Sequence, residues 1–120
     1  MAARPLILIA EHEFLIRSHA AEIINEAGYE VIEATNADEA MAILQSRRDV
    51  RVVFTDIQMP GTIKGLKLAH AIRERWPSIH ILATGSAVRE GDLPVDSIFF
   101  PKPYSPEIVA ATLRALTGAQ

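Results

Sequence analysis

Three side chains suited to phosphate chemistry stand at the ends of apolar runs. Asp56 closes the run Arg51-Val52-Val53-Phe54-Thr55-Asp56, Thr84 follows Ile79-His80-Ile81-Leu82-Ala83, and Lys102 follows Ser97-Ile98-Phe99-Phe100-Pro101. An apolar run that ends on a carboxylate and leads into Ile57-Gln58-Met59-Pro60-Gly61 places an ionisable oxygen at the carboxyl edge of a sheet. Open α/β folds bind ligands at that edge. A carboxylate is already ionised at neutral pH and is a feasible nucleophile. Phosphoryl transfer needs in-line positioning and compensation of charge on the equatorial oxygens, part of which an ammonium supplies. Taken singly, Asp56 reads as a strand-end cap, Thr84 as a structural hydroxyl and Lys102 as a surface lysine. Three such groups on three strand ends favour one site that transfers or holds a phosphoryl group.

The elements that must position them alternate along the chain. Leu6–Ala10 is continuously apolar, as expected of a strand covered on both faces. Residues 13–27 repeat Ile16, Ala20, Ile23, Ile24 and Ala27 at helical spacing, and Gly28 stops that helix. Glu30–Ala34 alternates in polarity and suits an edge strand. Asn36 caps a second helix, with Glu39 three positions on and Ala40, Ile43 and Leu44 inward. Residues 51–55, 79–83 and 98–100 are the third, fourth and fifth strands. Residues 65–76 form a helix with Leu66, Ala69 and Ile72 inward, stopped by Pro77. Ser105-Pro106-Glu107 opens the last helix with a cap, a proline at the first position and an acid in the first turn; Val109, Leu113 and Leu116 make its inner stripe. The pattern predicts an α/β, doubly wound, flavodoxin-like fold: a five-stranded parallel sheet of order 2-1-3-4-5 with helices on both faces.

The 120 residues fit a single domain spanning 1–120, and 49% apolar content supplies its core. There is no cysteine, which removes disulfide and thiolate chemistry and suits a cytoplasmic protein. The net charge of −3 argues against direct nucleic-acid binding. No apolar run approaches the roughly 20 residues that span a bilayer. His19, His70 and His80 have no partner pattern and read as structural, and Trp76 reads as a packing residue at a helix end.

With these residues in place the chain resembles the receiver domain of two-component response regulators, over nearly its whole length. The resemblance is carried by Asp56-x-x-Met59-Pro60-Gly61, the acidic loop Glu11-His12-Glu13, Thr84 followed by Gly85 and Ser86, and Lys102-Pro103. It implies that Asp56 accepts a phosphoryl group from a histidine kinase or phosphotransfer protein, that Thr84 and Lys102 bond phosphate oxygens, and that Thr84 and Phe99 form the switch. It implies a cis peptide at Lys102-Pro103, and a downstream protein partner that reads strand five and the last helix. It also implies Mg²⁺ held by Glu11, Asp56 and the backbone carbonyl of Gln58.

Two features depart from that pattern. The second acid of the loop, a principal Mg²⁺ ligand in the family, is here His12. Mg²⁺ prefers oxygen ligands in a strict octahedron, so the substitution weakens the site. Three arrangements are open: Mg²⁺ on Glu11, Asp56 and Gln58 with added waters; an imidazole-tolerant ion such as Mn²⁺; or protonated His12 in partial place of the cation. A loop histidine bonded to a neighbouring carboxylate is the plainer alternative. The second departure is the segment 85–96, which is short and contains Gly91 and Pro94, so a short or irregular fourth helix is expected there. Two functions follow. One is a phosphorylatable switch, not an enzyme. The other is a pseudo-receiver, an interaction module without Mg²⁺-dependent phosphorylation. A cofactor-binding flavodoxin-like protein is disfavoured, because Glu11-His12-Glu13 would repel a phosphate.

Overall fold

The computed structural model describes residues 4–59, 64–89 and 91–118. Pro60 and Gly61, expected to make the loop after Asp56, lie outside these residues. In chain order the elements are β1 (Leu6–Ala10), α1 (Phe14–Glu26), β2 (Glu30–Ala34), α2 (Ala37–Ser46), β3 (Val50–Asp56), α3 (Gly65–Arg75), β4 (His80–Gly85), β5 (Ile98–Pro101) and α4 (Pro106–Thr117). The strands make one parallel sheet of order β2-β1-β3-β4-β5, as the alternation of elements predicts.

Side chains alternate across a strand, so β1 feeds two cores. Leu6, Leu8 and Ala10 join Val53 and Ile81 beneath α2 and α3. Ile7 and Ile9 join Val52, Phe54 and Leu82 beneath α1 and α4. The helix ends follow local chemistry. Asn36 Oδ1 accepts from the Glu39 amide at 2.7 Å, and Glu39 Oε1 accepts from the Thr35 amide at 2.8 Å. Ser105 Oγ accepts from the Ile108 amide, and α4 ends at Gly118 in the left-handed region, with φ 74°.

Two expectations change. On α3 the residues that meet the sheet are Leu68, Ala69 and Ile72, all fully buried, whereas Leu66 is half-buried and lines an open pocket with Ala87 and Val88. At about 100° per residue, Leu66 lies on the far side of the helix from Leu68. Between β4 and β5 the described residues contain no helix; residues 86–89 and 91–97 are turns, bends and irregular backbone. It is pinned instead by α3: His70 Nε2 donates to the Asp92 carbonyl at 2.6 Å, and Arg73 Nε donates to the Val95 carbonyl at 3.0 Å. His70 is therefore structural, as expected. Among the described residues no helix is long and apolar enough to cross a membrane.

Candidate functional site

The sheet order sets the site. β1 and β3 are neighbours, so the loop after β1 and the end of β3 meet at the switch point, where the connections from β1 and from β2 lead to opposite sides of β1 in this parallel sheet. Asp56 pairs in register with Thr84 on β4, and Gly85 pairs with Pro101, which precedes Lys102. The Lys102 amide donates to the Gly85 carbonyl at 2.9 Å, and the Lys102-Pro103 peptide is cis, as the resemblance implied. Three strand ends thus deliver carboxylate, hydroxyl and ammonium to one place.

Asp56 is 5% exposed and Glu11 4% exposed. Lys102 Nζ donates to both, at 2.9 Å to Asp56 Oδ2 and 3.3 Å to Glu11 Oε1. The other oxygens are held by backbone: the Gln58 amide donates to Asp56 Oδ1 at 2.8 Å, and the Glu13 amide donates to Glu11 Oε2 at 3.1 Å. Two buried carboxylates share one ammonium, and the titration behaviour follows. Burial pushes the Glu11 carboxyl up, the nearby Asp56 charge adds to this, and the Glu13 amide and Lys102 oppose it. Burial alone would lower the Lys102 ammonium, but its hydrogen bond and attraction to Asp56, then to Glu11, outweigh burial and raise it. Burial and the Glu11 charge also raise the Tyr104 phenol.

Thr84 is 2% exposed, and among the described residues its Oγ1 has no hydrogen-bond partner. A buried hydroxyl left unbonded costs roughly 1–3 kcal/mol, so this hydroxyl is free to donate to an acceptor placed beside Asp56. Phe99 is half-buried on β5, opposite Ala83. Its neighbour Phe100 points the other way and stacks on Phe54, with ring centroids 6.3 Å apart. The ring of Tyr104 lies 5.4 Å from that of Phe54.

The donor set suits a hard divalent cation: two carboxylates, short of one positive charge, beside the turn that carries the Gln58 carbonyl. His12 does not join them. It is exposed, its ring has no hydrogen bond among the described residues, and no cluster of three His, Cys, Asp or Glu side chains with metal-holding geometry occurs there.

Several residues that build the site carry no signal of chemistry in the sequence. Arg17 Nη1 donates to the carbonyls of Glu11 and His12 at 3.0 and 3.3 Å, while its Nε donates to Glu33 at 3.1 Å, so this one guanidinium shapes the acidic loop. The Gln58 side chain ties to Ser86: Nε2 donates to Oγ at 2.9 Å, and Oε1 accepts from the Ser86 amide at 3.0 Å. Gly65 lets α3 start against the end of β3, because a Cβ there would lie 2.0 Å from the Asp56 carbonyl oxygen.

Comparison with known proteins agrees with this geometry. Residues 7–94 match the family described as the response regulator receiver domain. Over 93% of its length the chain is 34% identical to the aerobic respiration control protein ArcA of Escherichia coli K12, of which 48% is covered. Over 92% it is 30% identical to the phosphate regulon transcriptional regulatory protein PhoB of Pseudomonas aeruginosa, of which 50% is covered. The chain thus spans about half the length of these curated relatives. Among solved structures, the chemotaxis protein CheY4 of Vibrio cholerae superposes with a TM-score of 0.83 at 26% identity, covering 95% of this chain and 99% of that one. The response regulator TrrA of Thermotoga maritima, in complex with Mg²⁺ and BeF, gives 0.84 at 26%, covering 92% and 97%. Lys102 lies beyond residues 7–94, so its place in the site rests on its bonds to Asp56 and Glu11.

Proposed function

The chain belongs to the response regulator receiver family, and from that premise we propose that it is a signalling switch that takes a phosphoryl group from a phosphohistidine onto Asp56. The donor is a sensor histidine kinase or a phosphotransfer protein, and the setting is the cytoplasm. One observation carries the reading: a buried carboxylate bonded to Lys102 and to the Gln58 amide, in register with a buried threonine whose hydroxyl has no partner among the described residues.

An Asp56 carboxylate oxygen attacks phosphorus. The phosphorus–nitrogen bond to the donor imidazole breaks with its electron pair leaving on nitrogen, and an acyl phosphate forms. The Gln58 amide fixes the orientation of the carboxylate. Lys102 moves its hydrogen bond from Asp56 to a phosphoryl oxygen, and Thr84 donates to another, which satisfies its hydroxyl. Glu11, Asp56 and the Gln58 carbonyl would hold Mg²⁺, which when bound supplies charge neutralisation. Phe14 and Leu15 at the start of α1 are 66% and 78% exposed and offer a protein donor an apolar footing near the site. On the output side, movement of Thr84 biases the packing of Phe99 on β5, and a partner reads β5 and α4.

The second reading, an interaction module without Mg²⁺-dependent phosphorylation, is favoured by His12, which leaves only two carboxylates, both already bonded to Lys102. Incubation with acetyl phosphate and Mg²⁺, followed by intact mass, separates the two. The switch gains one phosphoryl group, and Asp56→Asn gains none. An unlabelled wild type with a folded spectrum supports the interaction module, and a labelled Asp56→Asn removes Asp56 as the acceptor.

A further inference from the structure

At the amino ends of the strands, opposite Asp56, the last turns of α2 and α3 border an open cleft of about 570 Å³. Leu44 and Trp76 give it an apolar floor, and Arg47, Arg48, Arg75 and Ser78 stand around it. No acid lines it, in a chain whose net charge is −3.

Basic residues at helix C-termini ordinarily serve the helix, whose last carbonyls carry partial negative charge. Arg73 is spent otherwise, donating to the carbonyls of Pro77, Ile79 and Val95 beyond the helix at 3.0–3.1 Å. Arg47 is engaged with both oxygens of Asp49, at 3.0 and 2.6 Å. Arg48 and Arg75 remain, and among the described residues neither has a hydrogen-bond or ion-pair partner. The Arg75 guanidinium carbon lies over the Trp76 ring, 4.9 Å from its centroid, a cation–π contact that keeps this exposed side chain beside the cleft. The cleft is larger than a single ion needs and falls within the usual range of small-molecule sites.

We propose that this cleft binds a nucleoside phosphate. The guanidinium groups give paired N–H donors of the geometry that phosphate oxygens accept. The Arg75 guanidinium is planar by its own bonding, and its exposed side gives a face on which a planar base stacks. An acidic peptide would meet the same charges but has no ring for that stack. The proposal does not depend on phosphorylation of Asp56, which lies at the other pole.

Trp76 is the only tryptophan, so its emission reports the cleft directly. Full-length protein in EDTA is titrated with AMP and, separately, with ribose 5-phosphate, while backbone amide shifts are recorded. AMP is expected to quench Trp76 saturably with a Kd at or below roughly 1 mM, and to shift the amides of Arg48 and Ser78. Ribose 5-phosphate, which lacks the base, is expected to bind at least about tenfold more weakly. R48E and R75Q should each weaken AMP at least about tenfold; Arg48 is exposed and has no bonding partner among the described residues, so R48E keeps the test sound if R75Q disturbs Trp76. The proposal is overturned by quenching that does not saturate, by shifts confined to the Asp56 pole, by unchanged AMP binding in R48E, or by binding of a glutamate-rich peptide but not of AMP.

Discussion

The two poles of the sheet carry charge in opposite ways. At the carboxyl ends Glu11 and Asp56 are buried and bonded to one lysine and to backbone amides. At the amino ends Arg47 and Asp49 form an exposed pair, and Arg75 lies on the Trp76 ring. Buried charges persist only when they hold one another, and removing one leaves the rest uncompensated. Exposed pairs gain little and lose little. The acceptor pole is therefore a cooperative assembly, sensitive to every member, whereas the amino pole tolerates loss of single charges. A group that carries function through charge is best kept where the fold enforces its surroundings, and Asp56 is such a group.

The largest effect expected from breaking this contrast is at Lys102. Lys102→Met leaves two buried carboxylates facing each other and removes the cation that would pair with the phosphoryl group. Labelling by acetyl phosphate should slow by about 10²–10³-fold, the range for loss of a preorganised charge donor, and the variant should unfold at lower denaturant. A labelling rate within twofold of wild type would remove Lys102 from the chemistry. Next is Gly65→Ala. Its Cβ would overlap the Asp56 carbonyl oxygen, so α3 must shift; a loss of about 2–3 kcal/mol by urea unfolding follows from overpacking. A neutral substitution would mean that α3 does not brace the acceptor strand.

Glu11 gives a smaller, pH-dependent effect. Its folded pKa is raised above the ordinary 4.5, so the native state binds the proton more tightly than the unfolded chain does. That stabilisation is complete below the ordinary value and is lost as pH rises from there through the raised value. Glu11→Gln lacks this loss. In metal-free buffer the melting temperature of the variant, relative to wild type, should therefore improve as pH rises from the ordinary carboxylate range toward neutrality. A difference independent of pH would contradict the burial argument. The smallest effect is at the opposite pole, where Arg47→Ala should leave the melting temperature unchanged within error, because the lost pair is exposed. A large drop there would erase the contrast between the poles.

Much of the acceptor pole was legible in the sequence, because strand ends announce themselves: an apolar run fixes the strand, and the residue that closes it sits at the edge. That logic put Asp56, Thr84 and Lys102 at the ends of three strands, which are neighbours in the sheet. The helix faces were legible only to within a rotation, which is why Leu66 stood in for Leu68. Gly91 and Pro94 signalled a weakened helix between β4 and β5, but its replacement by turns pinned from His70 and Arg73 depends on contacts across 22 residues. The bonds of Arg17 and the Gln58–Ser86 tie were illegible because their partners are backbone carbonyls, a glutamate 16 residues away and a serine 28 residues away. The basic cleft has the same cause: Arg47 and Arg48 meet Arg75 only because α2 and α3 end at the same pole.

The account rests on the acceptor pole being built to receive a phosphoryl group, and beryllofluoride with Mg²⁺ tests this most directly, followed by NMR of the Thr84 hydroxyl and amide and of the Lys102 ammonium. The account predicts saturable binding that is lost in Asp56→Asn, with the Thr84 hydroxyl proton becoming protected from exchange and the Lys102 ammonium signal shifting as it leaves Asp56. Saturation of Asp56 with Thr84 and Lys102 unmoved would contradict it, as would the absence of any binding to the folded wild-type protein.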